Sequence, residues 1–287
     1  MIVVTGATGN VGRALVPLLV DEGVPVRALT RDPARAGALP GGAEAVRFAA
    51  AAEPAAMADA FAGADALFLH LAAGGEHTAA LLEAARAGGV RHVVALSSII
   101  VDHDDAAGHP VHAVHAALED RVRACGLGWT FLRPGAFSAN ARQWAAQIRA
   151  GDTVRGPFAK LLLAPVHEAD IAAVAARALL DTAAHTGAVH SLTGPDALTT
   201  EEQVRQVGRA IGRDLRYVEI PPGEVTPAMF PHVGPEMLPV LLESLGAAVG
   251  SDPDLTTTVR EVTGRPARTF ARWAEEHADD FRARPAA

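Results

Sequence analysis

Apolar positions along this chain repeat with two periods, and the two alternate. IVVT at 2–5 is a short β-branched run, which predicts a buried strand. The stretch VGRALVPLLVDEG then sets Val11, Leu15, Leu18 and Leu19 on one helical stripe, with Gly23 as its stop. VPVRALT (24–30) predicts a second strand, and Asp32-Pro33 reads as a cap followed by proline at the first helical position. EAVRF (44–48), DALFLHL (65–71), RHVVALSS (91–98) and WTFLRPG (129–135) predict further strands, spaced by helical stretches at 54–63, 77–89 and 112–126. Strands alternating with helices of this length predict an α/β fold: a Rossmann-type doubly wound parallel sheet.

After about residue 138 the rhythm changes. SANARQWAAQIRAG (138–151) reads as helical, LLLAPV (161–166) as strand-like, and EADIAAVAARALLD (168–181) as a strong helix. AVHSLTG (188–194) predicts a strand that returns to the main sheet, and 199–287 reads as mostly helical around a Pro- and Gly-rich loop at 221–235. The expected organisation is a dinucleotide-binding domain over 1–150, joined by the strand near 188–194, and a smaller, mostly helical substrate or lid domain over 151–287.

Composition narrows the class. The chain has 287 residues, of which 49% are hydrophobic and 20% charged, enough to bury a sizeable core. A net charge of −8 without a long basic run argues against nucleic acid as a partner. The N-terminus MIVVTGATGN lacks a basic leader region, and no apolar stretch approaches the roughly 18 residues of a membrane helix. Cys125 is the single cysteine, which suits a reducing cytoplasm.

Gly6, Gly9 and Gly12 have the spacing G-x-x-G-x-x-G between a strand and an amphipathic helix. That is the context a dinucleotide fingerprint requires: glycine for the tight turn, for close approach to pyrophosphate, and for helix–strand packing. Free amides at the helix start would face the phosphates, so Gly6, Thr8, Gly9, Asn10, Val11 and Gly12 are expected cofactor contacts. Arg31, at the end of the second strand, can pair with a 2′-phosphate; Asp32 beside it is the rival, as a ribose acid of an NAD enzyme. The cap reading of Asp32 favours NADP(H) over NAD(H).

The segment TGATGNVG (5–12), together with VRALTRDP (26–33), HVVALSS (92–98), GLGWTFLRPGAFSAN (126–140), PVHEADIAAVAARAL (165–179), SLTGP (191–195) and TGRPARTFARWAEEHADDF (263–281), resembles the NmrA-like branch of the atypical short-chain dehydrogenases/reductases. That branch includes NADPH-dependent quinone reductases, a triphenylmethane-dye reductase, ketone reductases of natural-product pathways, and non-catalytic redox sensors. The resemblance implies that Arg31 is the phosphate contact and that Pro134, Gly135, Ala136 and Phe137 wall the nicotinamide. It also places His115 where similar proteins carry a histidine ahead of H-x-x-x-E, completed here by Glu119. The chain departs from its relatives at AAAAEP (49–54), where they often carry an Asp near adenine. Leu71, Ala72 and Ala73, at the end of the fourth predicted strand, are expected to run past the ribose.

The superfamily's usual Ser and Tyr-x-x-x-Lys machinery is excluded by arithmetic, because Tyr217 and Lys160 are the only residues of their kinds. Ser97, Ser98 and His115 remain as catalytic candidates. His115 either orients the ribose, relays a proton, or pairs with Glu119 at i+4. His109, His112 and His115 recur every third residue, a spacing that drifts round a helix, so no metal is expected. Trp144, Met229, Phe230 and His232 are candidates for the substrate pocket, and the loop at 226–234 for a lid. Hydride transfer to a simple ketone leaves a basic alkoxide that needs an acid; a quinone leaves a phenol-like anion with pKa near 10. The expected function is NADPH-dependent reduction of a quinone-like or aromatic polyketide carbonyl in a small-molecule substrate. The alternative is an NADP(H) sensor that reports to a protein partner. An epimerase would need a tyrosine-type base.

Overall fold

The computed structural model describes residues 1–33, 37, 39–48, 54–103, 106–231 and 233–282. In chain order its main elements run β1 (Ile2–Thr5), α1 (Gly12–Asp21), β2 (Val26–Thr30), β3 (Ala43–Arg47), α2 (Pro54–Phe61), β4 (Ala66–His70), the single turn α3 (Leu71–Gly74), α4 (Thr78–Ala87), β5 (His92–Leu96), α5 (Pro110–Ala124) and β6 (Gly128–Pro134). They continue with α6 (Ala145–Ala150), β7 (Thr153–Gly156), β8 (Leu162–Leu163), α7 (Glu168–Leu180), α8 (Thr182–His185), β9 (Ala188–Leu192), β10 (Leu198–Thr199), α9 (Thr200–Ile211), β11 (Arg216–Glu219), α10 (Leu238–Ala247), α11 (Thr258–Thr263) and α12 (Phe270–Glu276). No helix of the described residues is long and apolar enough to cross a membrane.

Two compact units divide the chain. The first comprises 1–135, 168–192 and 258–265; the second comprises 136–167, 193–257 and 266–287. The chain therefore crosses between them repeatedly; the sequence expectation put the boundary near 150, with the strand near 188–194 returning to the first domain. The reason lies in α7, whose Ile171, Val174, Ala175, Ala178 and Leu179 are buried and which packs against α1. Its apolar stripe belongs to the first unit's core, so the chain returns to supply it and β9.

The first unit is built on a seven-stranded sheet in the order β3-β2-β1-β4-β5-β6-β9, with every neighbouring pair parallel. Central strands are buried along their length: β1, β5 and most of β4 expose nothing. That burial explains their continuous apolar runs. The order reverses between β1 and β4, so the crevice beyond their carboxyl ends is where such sheets take ligands.

The second unit has its own core, which includes Trp144, Ile148, Val207, Phe270, Trp273 and Phe281. It carries two small sheets, β7 with β11 in parallel and β8 with β10 antiparallel. The stretch expected to be one helix over 138–151 is a 3-10 segment, Ser138–Trp144, followed by α6. The strand expected at 161–166 is reduced to Leu162–Leu163. The helix expected to begin at Asp32-Pro33 falls mainly on 34–36, outside the described residues.

Candidate cofactor and hydride-transfer site

The glycine loop turns sharply off the end of β1. Gly6 has φ +61°, a conformation that disfavours any side chain, and the Gly9 amide donates to the Gly6 carbonyl at 2.9 Å. A Cβ on Gly12 would stand 2.3 Å from the Gly6 oxygen and 2.7 Å from the Ala7 Cα, so only glycine lets α1 start this close to the turn. Gly9 and Asn10 are exposed, Thr8 is partly so, and Val11 is buried. No side chain caps the start of α1 at Val11. A loop that glycine alone can form, leading into a helix whose amino end is left uncapped, fits a pyrophosphate.

Beyond β2, Arg31 and Asp32 are both exposed. The Asp32 amide donates to Thr30 Oγ1 at 3.3 Å, which turns the chain there. Arg35, a further cation close in sequence, lies outside the described residues.

Thr5 and His70 join the carboxyl ends of β1 and β4. The Thr5 hydroxyl donates to the Phe68 carbonyl at 2.9 Å and accepts the His70 amide at 2.8 Å. The strand expected over 65–71 stops at His70, and Leu71, Ala72 and Ala73 form a helical turn instead. The cause is a side-chain cap: His70 Nδ1 accepts from the Ala72 amide at 3.1 Å. His70 was missed by sequence reasoning. Its signal was position alone, at the end of the strand beside the glycine loop.

Ser97 follows β5 inside a buried ionic network. Its hydroxyl donates to Glu119 Oε1 at 2.6 Å; Arg133 holds the same carboxylate through Nε at 2.8 Å and Nη2 at 2.5 Å, and Arg123 Nη2 reaches it at 2.7 Å. Arg133 also pairs with Asp102, which accepts from the Ser191 hydroxyl. Burial alone would raise the Glu119 pKa, but the hydrogen bonds from Arg133 and Ser97 and the two guanidinium charges outweigh it and hold the carboxyl below its usual range. The Ser97 hydroxyl thus serves a structural carboxylate. Ser98 accepts from the Ile100 amide at 3.4 Å, capping the 3-10 turn Ile99–Asp102.

His115, on α5, does not make the expected i+4 pair with Glu119, because Glu119 is taken by Ser97, Arg133 and Arg123. Its Nδ1 is shielded from solvent with no hydrogen-bond partner among the described residues. Burial drives its pKa down to about 4; Glu119 opposes that shift and nearby His70 adds to it. Burial also holds His70 below the ordinary histidine value. Both imidazoles are therefore neutral at pH 7. The helix expected over 112–126 begins earlier, at Pro110, and His109 precedes it as the cap, its Nδ1 accepting from the Val111 amide at 3.2 Å.

At the end of β6, Pro134 is buried and the Gly135 amide donates to the Leu192 carbonyl at 2.9 Å. Ala136 and Phe137 open the second unit, where the Val166 amide donates to the Ala136 carbonyl at 2.8 Å. Trp144, a candidate for the substrate pocket, is part of that unit's buried core. Met229 ends the 3-10 turn Pro227–Met229, Phe230 is buried, and His232 lies outside the described residues. Tyr217 donates its hydroxyl to the Pro157 carbonyl at 2.7 Å, and burial pushes its pKa up. Lys160 pairs with Glu201 at 2.5 Å. Each of the two is committed to a partner of its own, so no Tyr–Lys pair exists.

A model of an NAD(P)H-binding family matches residues 6–182. The chain belongs to that family. It is 39% identical, over 98% of its own length and 99% of the relative's, to a (4-alkanoyl-5-oxo-2,5-dihydrofuran-3-yl)methyl phosphate reductase of Streptomyces griseus. It is 35% identical, over the same shares, to an NAD(P)H azoreductase of Xenophilus azovorans. Among solved structures, an NADPH-dependent quinone oxidoreductase of Escherichia coli complexed with NADPH superposes with a TM-score of 0.79 at 26% identity, over 96% of this chain and 99% of that one. The chain is thus an NAD(P)H-dependent oxidoreductase by family, and the resemblance read from its motifs stands.

Proposed function

We propose that the protein reduces the carbonyl of a quinone-like or aromatic natural-product substrate with NADPH. When bound, NADPH supplies a hydride. The residues of this chain supply position and charge. The Gly6–Gly12 loop and the amino end of α1 take the pyrophosphate. Arg31, exposed at the end of β2, takes the 2′-phosphate, which favours NADPH over NADH.

The observation that carries the substrate class is the commitment of Tyr217 to Pro157 and of Lys160 to Glu201. The fold lacks its usual acid, and His115, neutral with a pKa of about 4, is protonated in only about a thousandth of molecules at pH 7. An acceptor that leaves a delocalised, phenol-like anion needs no strong enzymic acid, and water can deliver its proton. His115 is suited to hold a cofactor hydroxyl or pass a proton as a neutral imidazole. The reductase reading also agrees with the names of its relatives, which act on a furanone phosphate, azo compounds and quinones.

The test is NADPH oxidation by the purified protein against quinones and aromatic polyketide ketones. Loss of nicotinamide absorbance matched by reduced product supports the reading; no consumption with any acceptor removes it.

A further inference from the structure

His70 stands where the strand order reverses, and three contacts fix it there. Its amide is held by Thr5 Oγ1 at 2.8 Å, its Nδ1 accepts the Ala72 amide at 3.1 Å, and its ring root lies against Gly6. A Cβ on Gly6 would meet the His70 Cβ at 3.3 Å and Cγ at 3.4 Å. One side chain thus braces both the glycine loop after β1 and the turn after β4. Because Nδ1 accepts a hydrogen bond, the proton of the neutral ring must sit on Nε2. His70 Nε2 takes no hydrogen-bond partner among the described residues. The result is a neutral donor of fixed tautomer, at the crevice that the sheet topology assigns to a ligand.

We propose that His70 is a cofactor-positioning residue: its Nδ1 cap holds the Leu71–Ala73 turn in place, and its Nε2–H donates to an oxygen of the bound dinucleotide. An alternative use as proton donor fails on chemistry. Losing the Nε2 proton would leave an imidazolate, and Nδ1 cannot be reprotonated while it accepts from Ala72. His70 is therefore a hydrogen-bond donor that keeps its proton. His115 is the second titratable group beside it, and it too is neutral. The proposal rests on NAD(P)H binding alone, so a failure to find turnover leaves it standing.

The test uses the whole protein and NADPH without substrate. His70→Ser keeps a short acceptor able to cap the turn but removes the Nε2 donor. It should leave the melting temperature near that of the wild type and weaken NADPH binding about tenfold, the loss expected for one hydrogen bond to a charged or strongly polar group. In the wild type, imidazole NMR should show Nδ1 unprotonated and Nε2 protonated, and NADPH should move the Nε2–H resonance. An unchanged Kd in the variant, or an Nε2–H resonance that NADPH leaves in place, overturns the proposal. The second readout needs no variant, so it holds even if His70→Ser fails to fold.

Discussion

Arg133 lies bidentate on Glu119, with Nε 2.8 Å from Oε1 and Nη2 2.5 Å from Oε2, and Glu119 is fully buried. This pair ties the end of β6, where Pro134 and Gly135 follow, to the helix that carries His115. A buried carboxylate with such partners cannot lose its charge cheaply, because the guanidinium would be left behind uncompensated. Glu119→Gln should cost about 3 kcal/mol in urea unfolding. Arg123→Ala, which removes the more exposed partner, should cost under about 1 kcal/mol. Equal effects from the two changes would contradict the ranking.

The glycines of the loop should separate by mechanism. Gly12→Ala drives a Cβ to 2.3 Å from the Gly6 oxygen, a backbone clash that nothing flexible can relieve. It should lower the melting temperature and abolish NADPH binding together. Gly9→Ala meets its nearest neighbour, the same oxygen, only at 3.1 Å, and Gly9 is exposed. It should keep the melting temperature within a few degrees while weakening NADPH binding by about tenfold or more, if the added methyl stands where the proposed site takes pyrophosphate. Thermal melts and binding titrations on both variants decide this.

Stability should fall as the solution is made acid, starting above the carboxylate range. An unfolded histidine takes up its proton near pH 6.5, while His115 in the folded chain does so only at about 4. Between those values the unfolded chain binds the extra proton, so stability rises with pH through this window and is lost on descent. His70, His92 and His190, each lowered chiefly by burial, act with the same sign. Glu119, whose pKa is held below the usual 4.5, adds a further loss at lower pH still. Urea unfolding between pH 7.5 and 4 should show the decline, and His115→Phe should make it shallower. An identical slope in the variant would contradict the assignment.

Much of this was legible in the sequence, for a physical reason. Buried parallel strands such as IVVT and HVVAL must be continuously apolar, and the glycine spacing is imposed by the close approach of α1 to its turn. The second unit was harder. β7 (TVRG) and β11 (RYVE) are four residues each; β7 buries only Val154 and Gly156 and β11 is mostly exposed, so they carry little apolar signal, and their pairing is non-local. His70 was invisible for a different reason: its role comes from Gly6 and Ala72, which the sheet and a capped turn bring to it. The same holds for His115 and Glu119. Their i+4 spacing is that of a helix pair, yet Arg133 on β6 and Ser97 just beyond β5 claim the carboxylate.

Arg31 should act as the reader of the 2′-phosphate. Arg31→Ala is expected to weaken NADPH binding about tenfold and leave NADH binding unchanged, the signature of one lost charge-assisted contact. Parallel titrations with the two cofactors measure it. Equal losses for both would shift the contact to the shared pyrophosphate, and no loss would return the decision to Asp32.

The most direct test of the central claim is the stoichiometry of NADPH consumption against an aromatic acceptor such as naphthoquinone, under anaerobic conditions with purified protein. The account predicts one NADPH oxidised for each hydroquinone formed, with a rate that falls in Arg31→Ala when NADPH is limiting. Tight NADPH binding with no oxidation, across quinones and aromatic ketones alike, would contradict it and make the protein a binder of the cofactor and not a reductase.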